Sequence, residues 1–289
     1  MRRPFFILAL FCTTTALAQS IDVQGHRGCR GLYPENTLPA FMHALELGVT
    51  TLELDVVISG DGQVVVSHEP WMNPAICIGP NGEELEDDQS VNLYRMSYAD
   101  IATYDCGSQG HPNFSQQATL PAAKPLLADI LVAVERRAAE LEHPIRYNIE
   151  IKSSPRGDYL YHPSPPEFSE RVHALIQEYV PWERVTIQSF DFRVLRYWHQ
   201  NYQEVQLAAL TVRPLSPRKL RHKLGFLPQV YSSHYKMLSD TAVEHYQAEG
   251  VQVIPWTVNE VKAMQEMLDL GVDGIITDYP NLLLDMLKE

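Results

Sequence analysis

The sequence predicts an α/β fold: a (β/α)8 TIM barrel with a small insertion subdomain after a hairpin at its second strand. Apolar, β-branched runs alternate with segments of helical periodicity along almost the whole 289-residue chain. Such alternation predicts parallel strands with helices packed over them. Eight strand–helix units fit into about 220 residues outside one aperiodic stretch, which is the size of one barrel. A doubly wound open sheet is the alternative, but no Gly-x-Gly-x-x-Gly turn supports it.

Residues 1–18 have the build of a cleavable signal peptide, and residues 19–289 would form the mature barrel domain. Arg2 and Arg3 precede an apolar run, and Ala16-Leu-Ala18 is a small-x-small cleavage site. The apolar run is too short to span a bilayer comfortably. We therefore expect cleavage after Ala18, a secreted or periplasmic protein, and no stable membrane insertion.

The negative net charge of the protein limits the kinds of partner that it can bind. Cleavage would remove two arginines and no acidic residue, which moves the formal net charge from −13 to −15. An acidic protein without a basic run is unsuited to nucleic acid and to anionic membrane surfaces. An anionic small-molecule substrate would need a local cluster of positive side chains, because the field of the whole protein repels it. The composition does not indicate an oligomeric state.

A hairpin is predicted at the second strand of the barrel. This strand covers residues 51–57, and the Gly60-Asp-Gly62 turn leads from it into a short strand over 64–67. So short a connection predicts antiparallel pairing. If the turn centres on its aspartate, residue 68 returns level with residue 54.

The other elements follow in regular alternation. Strands are predicted over residues 21–25, 146–151, 184–188, 205–210, 229–232, 251–256 and 273–277. Helices are predicted over residues 36–47, 124–141, 166–179, 190–202, 216–224, 239–249, 259–270 and 281–288. With the second strand, and without the returning arm of the hairpin, this gives eight strands that are each followed by a helix.

Residues 70–120 lose this periodicity. Asn-Pro, Gly-Pro and Asn-Gly pairs and an acidic run over 83–88 indicate turns and loops. A loop of this length in a compact domain is usually functional or a small subdomain, so we predict an insertion that caps one end of the barrel. Cys77 and Cys106 lie within it and are expected to form a disulfide in an oxidising compartment. Cys29 would remain as a small buried thiol.

Polar side chains collect where the predicted strands end. In a barrel of this kind, functional side chains lie at the carboxyl ends of the strands. The residues at these positions are His26, Arg27, Glu53, Asp55, Glu150, Lys152, Gln188, Trp256 and the pair Thr277-Asp278. The predicted hairpin would add His68 beside Glu53 and Asp55.

Three of these residues suit a metal. Glu53 and Asp55 point to the same side of their strand because alternate residues share a face, and Glu150 ends the next parallel strand. Any one of these carboxylates alone would be interpreted as a solvated strand end or an ion pair. Three at one rim form an all-oxygen set suited to Ca²⁺ or Mg²⁺ rather than Zn²⁺. We therefore predict one divalent cation as cofactor.

His26 and His68 suit proton transfer near neutral pH. Arg27 and Lys152 would supply the local positive charge that a phosphate needs. Together with the carboxylates they indicate metal-assisted phosphoester chemistry. Among the other histidines only His234, just past the sixth barrel strand, is expected to border the substrate pocket.

Short motifs surround these residues and continue along the chain. They are His26-Arg-Gly28, Pro34-Glu-Asn-Thr37, Glu53-Leu-Asp-Val56, Asp61-Gly62, Val65-Val-Ser-His68, Asn148-Ile-Glu-Ile-Lys152, Gln188-Ser-Phe190, Trp256-Thr-Val-Asn259 and Asp273-Gly-Ile-Ile-Thr-Asp278. With these motifs in this order, the chain resembles the glycerophosphodiester phosphodiesterase family in its secreted or periplasmic form. The resemblance covers nearly all of the mature chain.

The resemblance implies a hydrolase that converts glycerophosphodiesters to glycerol 3-phosphate and an alcohol. The family's metal ligands, catalytic histidines and phosphate-binding cations fall on the residues already singled out. Gln188, Phe190 and Trp256 are expected to contact the substrate. Cys29 replaces a small residue of the family pattern, and Glu69 stands where aspartate often follows the second histidine. We expect neither to touch the chemistry.

Two other functions stay open at this point. Lysophospholipase D-like hydrolysis of lysophospholipids would use the same residues, and an apolar acyl site at the rim would distinguish it, with Tyr33, Phe190, Tyr235 and Trp256 as candidates. A non-catalytic phosphate-binding barrel is disfavoured, since a binder has no need of two proton-transfer groups. If the protein is an enzyme, two nucleophiles are open. Water could attack the phosphate directly, or the neighbouring glycerol hydroxyl could attack it and form a cyclic phosphate. The order in which the histidines act and the choice between Ca²⁺ and Mg²⁺ are open too.

Overall fold

Eight parallel strands form the wall of a nearly closed barrel. The computed structural model describes residues 21–288, so the signal peptide predicted over residues 1–18 lies outside the described residues. The parallel strands are β1 (Asp22–Gly25), β2 (Thr51–Ile58), β4 (Arg146–Ile151), β5 (Val185–Ser189), β6 (Gln206–Thr211), β7 (Val230–Ser233), β8 (Gln252–Val253) and β9 (Gly274–Thr277). They lie in the order β8-β7-β6-β5-β4-β2-β1-β9, and the predicted TIM barrel is confirmed.

Backbone hydrogen bonds close the barrel between its two end strands. Asp273 N–H donates to the Val253 carbonyl at 2.9 Å, and Ile276 N–H donates to the Pro255 carbonyl at 3.0 Å. The strand predicted over residues 251–256 is shorter in the structure, because Pro255 has no N–H to give to a ladder. Trp256 resumes the pairing through an isolated bridge to His234.

The helices pack outside the strands. They are α1 (Leu38–Leu47), α2 (Tyr98–Ile101), α3 (Leu127–Glu140), α4 (Pro165–Ile176), α5 (Phe192–Asn201), α6 (Pro217–Leu224), α7 (Asp240–Ala248), α8 (Val261–Asp269) and α9 (Pro280–Met286). Thr37 and Ser239 cap two of them with their side-chain oxygens, and Gly48 ends α1 at φ 93°, as its C-cap signal predicted. Within residues 21–288, no helix combines the length and apolar character that crossing a bilayer requires.

The hairpin at β2 has the predicted register. β3 (Val64–Val66) runs antiparallel to β2, with Val66 opposite Val56. The backbone N–H of Ser67 donates to the Asp55 carbonyl at 3.0 Å. Continuing the same register brings His68 level with Leu54, at the carboxyl end of the barrel.

The stretch between β3 and α3 has a small core of its own. Its buried members include Met72, Leu93 and Ile101, which pack with the outward side of the hairpin. The predicted disulfide between Cys77 and Cys106 is present and closes a separation of 29 residues. Cys29 is buried and unpaired within the described part of the chain, and burial raises the pKa of its thiol to about 12. It is therefore a packed thiol, as predicted.

Candidate active site

The predicted site residues meet at one cavity, at the carboxyl ends of the strands. The cavity has a volume of about 200 Å³. Its wall includes eight of the ten predicted residues: His26, Arg27, Glu53, His68, Glu150, Gln188, Phe190 and Trp256. The other two lie beside it, since Lys152 Nζ is 2.9 Å from Glu150 Oε1 and 3.5 Å from Asp55 Oδ1. All ten residues are thus at one rim.

The three carboxylates converge because β2 and β4 pair in register. Asp55 lies opposite Glu150, and Glu53 lies two residues earlier on the same face of β2. One oxygen from each carboxylate lies within 4.8 Å of the others, and all three residues are buried. This set of oxygens could hold a hard divalent cation.

The neighbouring cations do not fully neutralise this carboxylate cluster. Burial and the charge of Asp55 raise the pKa of Glu53 well above its usual range. Burial also raises the pKa of Glu150, against the attraction of Lys152. At Asp55 the effect of burial is outweighed by nearby positive charge, Lys152 first, and the pKa falls. A cluster that tends to keep a proton on Glu53 would be relieved by a divalent cation, so the donor set fits a metal.

Hydrogen bonds hold two of the carboxylates in place. Gln188 Nε2 donates to Glu53 Oε1 at 2.7 Å, and the backbone N–H of Arg27 donates to Glu53 Oε2 at 2.9 Å. Asn36 Nδ2 donates to Asp55 Oδ2 at 2.9 Å. Arg27 and Asn36 have φ values of 50° and 56°, a left-handed conformation that is costly outside glycine. The strain is located where it directs donors at the carboxylates.

His26 is fixed by a carboxylate that follows the last strand. Its Nδ1 lies 2.6 Å from Asp278 Oδ1. Arg30 donates to both oxygens of Asp278 at 3.0 Å, and Asn259 Nδ2 donates to Oδ2 at 2.6 Å. Burial lowers the pKa of His26 to about 4, despite the opposing attraction of Asp278. The imidazole is therefore neutral at pH 7 and able to accept a proton.

His68 is bound by the residue that follows it. Its Nδ1 lies 2.7 Å from Glu69 Oε1, so the expectation that Glu69 stays clear of the site chemistry is wrong. Burial would raise the pKa of Glu69, but the hydrogen bond to His68 and the charges nearby outweigh it and lower the pKa to about 2. The side chain of His68 is 31% exposed, against 12% for His26.

The predicted phosphate-binding cations are paired with carboxylates. Arg27 Nη1 binds Glu35 Oε1 at 2.7 Å, and its Nε lies 3.4 Å from Asp55 Oδ2. Burial would lower the pKa of Arg27, but the attraction of Glu35 and then Asp55 outweighs it and raises the pKa. Lys152 is held by Glu150 and Asp55 in the same way. Their raised pKa values keep both cations charged beside the cavity.

The model of the glycerophosphoryl diester phosphodiesterase family matches residues 26–282. The chain belongs to this family. A glycerophosphodiester phosphodiesterase from Bacillus altitudinis is 30% identical over 268 residues, which are 91% of this chain and 97% of that protein. The protein is thus a phosphodiesterase of this class.

Three further proteins are similar to this phosphodiesterase. A human lysophospholipase D is 24% identical and aligns with 91% of this chain and 84% of its own length. A solved Silicibacter pomeroyi structure assigned to the same family has a TM-score of 0.83 at 29% identity and covers 93% of this chain and 95% of its own. An Oleispira antarctica phosphodiesterase, solved with its product sn-glycerol-3-phosphate, has a TM-score of 0.74 at 20% identity and covers 93% and 97%.

Aromatic side chains form one side of the phosphodiesterase cavity. The rings of Phe190 and Trp256 meet edge to face, with centroids 5.4 Å apart, and Phe190 is 40% exposed. His234 was expected to border the pocket. It lies behind Trp256 instead, at a ring-centroid distance of 5.3 Å, and is not among the described residues that form the cavity wall.

The sequence did not predict the roles of several supporting residues of the phosphodiesterase site. Asp278 had been placed at the rim without a role, and Asn259 and Glu35 lie within motifs that matched the family. Membership of those motifs was the available signal for them. Arg30 lies outside the quoted motifs, yet it lines the cavity and orients Asp278. Its contact joins residues 248 positions apart, a pairing that local sequence patterns do not contain.

Proposed function

We propose that the protein hydrolyses glycerophosphodiesters to glycerol 3-phosphate and an alcohol in a metal-dependent reaction. The observation that carries the proposal is the convergence of three buried carboxylates and two carboxylate-bound histidines on one cavity. The family gives the reaction class. The Oleispira antarctica relative, which binds sn-glycerol-3-phosphate as its product, supports the choice of substrate.

Glu53, Asp55 and Glu150 would hold the divalent cation, Ca²⁺ or Mg²⁺. When bound, such a cation supplies positive charge that polarises a phosphoryl oxygen. Arg27 and Lys152 would bind the remaining phosphate oxygens and stabilise the charge that develops on them. The acidic protein thus meets an anionic substrate with a local cluster of positive charge.

The two histidines would carry the protons. Asp278 and Glu69 each bind the Nδ1 atom of their histidine, which keeps the ring proton on that side and leaves Nε2 for the reaction. His26 Nε2 lies 3.9 Å from Glu53 Oε2, next to the carboxylate cluster. One histidine would remove the proton of the nucleophile, and the other would protonate the departing alkoxide.

The test is an assay of glycerol 3-phosphate release from a panel of glycerophosphodiesters, with chelator and with Ca²⁺ or Mg²⁺ restored. We expect activity that chelation abolishes and metal restores. Glu53→Gln should show little activity and no response to added metal. Binding of the cation to the folded protein, followed by calorimetry, should weaken in the same variant. Full turnover in the presence of chelator would contradict metal dependence.

Lysophospholipase D activity is the second candidate. The exposed ring of Phe190 beside Trp256 gives the rim an apolar surface that an acyl chain could contact, and the human relative carries that activity in its name. Parallel assays with glycerophosphocholine and lysophosphatidylcholine separate the two. A higher kcat/KM for the lysophospholipid would replace the primary proposal.

We also propose that the protein is exported and loses residues 1–18. The disulfide between Cys77 and Cys106 supports this, since such bonds persist in oxidising compartments. Sequencing the N-terminus of protein recovered from the periplasm or the medium tests it. An N-terminus at Met1 in the cytoplasmic fraction would contradict export.

A further inference from the structure

A second cavity lies against the reaction cavity. Its volume is about 350 Å³, and Glu150 and Phe190 belong to the walls of both. A molecule whose phosphate lay at the carboxylate cluster could therefore reach into this second cavity. The reaction cavity is smaller, at about 200 Å³, and Leu210, Ile276 and Trp256 also line it. That space fits the short carbon chain of a glycerol moiety, which leaves the second cavity for the other substituent of the phosphate.

The walls of the second cavity combine aromatic rings with hydroxyl and amide groups. The rings of Trp71 and Tyr161 lie with centroids 5.4 Å apart, and Phe190 forms the boundary with the reaction cavity. Ser153 and Ser154 contribute hydroxyl groups. Flat rings that receive C–H groups, beside a few hydrogen-bonding side chains, are the features of a small-molecule subsite.

This cavity is built from two segments that are tied together. Trp71 comes from the stretch after β3, whereas residues 152–162 follow β4. Asn92 Nδ2 donates to the Leu160 carbonyl at 2.9 Å, and Arg95 Nη2 donates to the Tyr159 carbonyl at 2.8 Å. The insertion thereby holds the loop after β4 in place, so the walls are formed before a ligand arrives.

The charges of the cavity distinguish between ligands. Glu150 is the one carboxylate among the described residues of its wall, and it is bound to Lys152 and belongs to the metal-binding set. The acidic residues of the same region, Asp158 and Asp191, are neutralised by Arg193. Arg156 is exposed in the wall and has no ion-pair partner within residues 21–288. The cavity therefore has one uncompensated positive charge.

We infer that this second cavity binds the alcohol half of the substrate and selects a polyhydroxy alcohol, such as inositol or glycerol, over a quaternary amine such as choline. The guanidinium of Arg156 donates hydrogen bonds that hydroxyl groups can accept. A choline group would find aromatic rings, which favour cations, but it would also meet the like charge of Arg156. The inference rests on the proposed hydrolysis of glycerophosphodiesters and names its head-group class.

The experiment compares kcat/KM for glycerophosphoinositol and glycerophosphocholine in the wild type and three variants. The wild type should prefer glycerophosphoinositol. Arg156→Glu reverses the charge in the cavity and should shift the ratio toward glycerophosphocholine by about tenfold, mainly through KM. Arg136→Glu makes the same change on an exposed arginine of α3 that has no ion-pair partner in the described part of the chain and should leave the ratio unchanged. Trp71→Ala should weaken the binding of both substrates.

The outcomes separate the two proposals. If both substrates are hydrolysed and Arg156→Glu leaves their ratio unmoved, or if the wild type prefers glycerophosphocholine, the head-group inference is wrong and the proposed function stands. If the wild type hydrolyses neither substrate with metal present, the proposed function is wrong and the inference falls with it. Thermal unfolding of each variant verifies that it is folded, and Arg156→Ala serves if the glutamate variant is not.

Discussion

The two histidines of the site are held by different parts of the fold. His26 receives its carboxylate from Asp278, 252 residues away, and that carboxylate is itself held by Arg30 and Asn259. His68 receives its carboxylate from the adjacent Glu69 and is more exposed. The orientation of His26 thus depends on closure of the barrel, whereas that of His68 depends on a local segment. The comparison predicts similar losses in kcat when either imidazole is removed. It predicts unequal losses in kcat when the carboxylates that bind the two imidazoles are changed.

Removal of either imidazole should have the largest effect. His26→Ala and His68→Ala should each lower kcat by about a hundred- to ten-thousandfold, because each deletes a proton-transfer group. Steady-state turnover of a glycerophosphodiester, on protein whose circular dichroism matches the wild type, measures this. Near-normal turnover in both variants would contradict the proposed acid–base roles.

Asp278→Asn should lower kcat by about a hundredfold and destabilise the fold by about 3 kcal/mol. The amide cannot satisfy the donors of both Arg30 and Asn259, and it leaves the largely buried Arg30 with only the longer ion pair to Glu35, at 3.6 Å. Turnover assays and urea unfolding give the two values. An effect on kcat smaller than that of the Glu69 variant below would reverse the comparison.

Burial of His26 should make stability depend on pH in metal-free protein. Its pKa falls from 6.5 to about 4 on folding, so the unfolded chain binds a proton between these values and the folded chain does not. Stability should therefore fall by about 3 kcal/mol as the pH drops from 6.5 to 4. Urea unfolding across this range, with chelator, should show a shallower decline in His26→Gln. An equally steep decline in that variant would assign the effect to other groups.

Glu69→Gln should have the smallest effect. Its partner His68 is partly exposed, so water can replace much of the lost interaction, and stability should change by less than about 1 kcal/mol. The loss in kcat should be about tenfold, because the amide oxygen can still accept the hydrogen bond from Nδ1. The same two assays apply. A loss equal to that of Asp278→Asn would remove the distinction between the two histidine sites.

Local patterns were sufficient to predict the order of the eight barrel strands, the helix after each of them and the hairpin register. The short Gly60-Asp-Gly62 turn fixes which residues of the two arms face each other, and His68 was placed correctly beside Glu53 and Asp55. Parallel barrel geometry then brings Glu150 to the same rim. These positions follow from rules that act within one strand or between adjacent strands.

Other features of the site depend on contacts that such rules do not cover. The partner of His26 could not be predicted because Asp278 is adjacent to it only after the barrel closes. Glu69 was misjudged because the pattern of the family concerned residue type, whereas its contact depends on the side-chain rotamer beside His68. β8 was predicted too long because the apolar run around Pro255 has the hydrophobicity of a strand. The strand ends earlier because Pro255 has no backbone N–H to donate.

The pairing of β1 with β9 has a consequence for the order of events during biosynthesis. The ladder from Asp22 opposite Gly274 to Gly25 opposite Thr277 joins the first strand to the last. During synthesis the edge of β1 that pairs with β9 stays unpaired until β9 has been made. Contacts between residues so distant in sequence form late in folding. A chain that stops before residue 274 would contain both histidines and all three metal-binding carboxylates, yet it would lack β9 and Asp278. His26 can therefore be bound by its carboxylate only after the chain has been synthesised through Asp278.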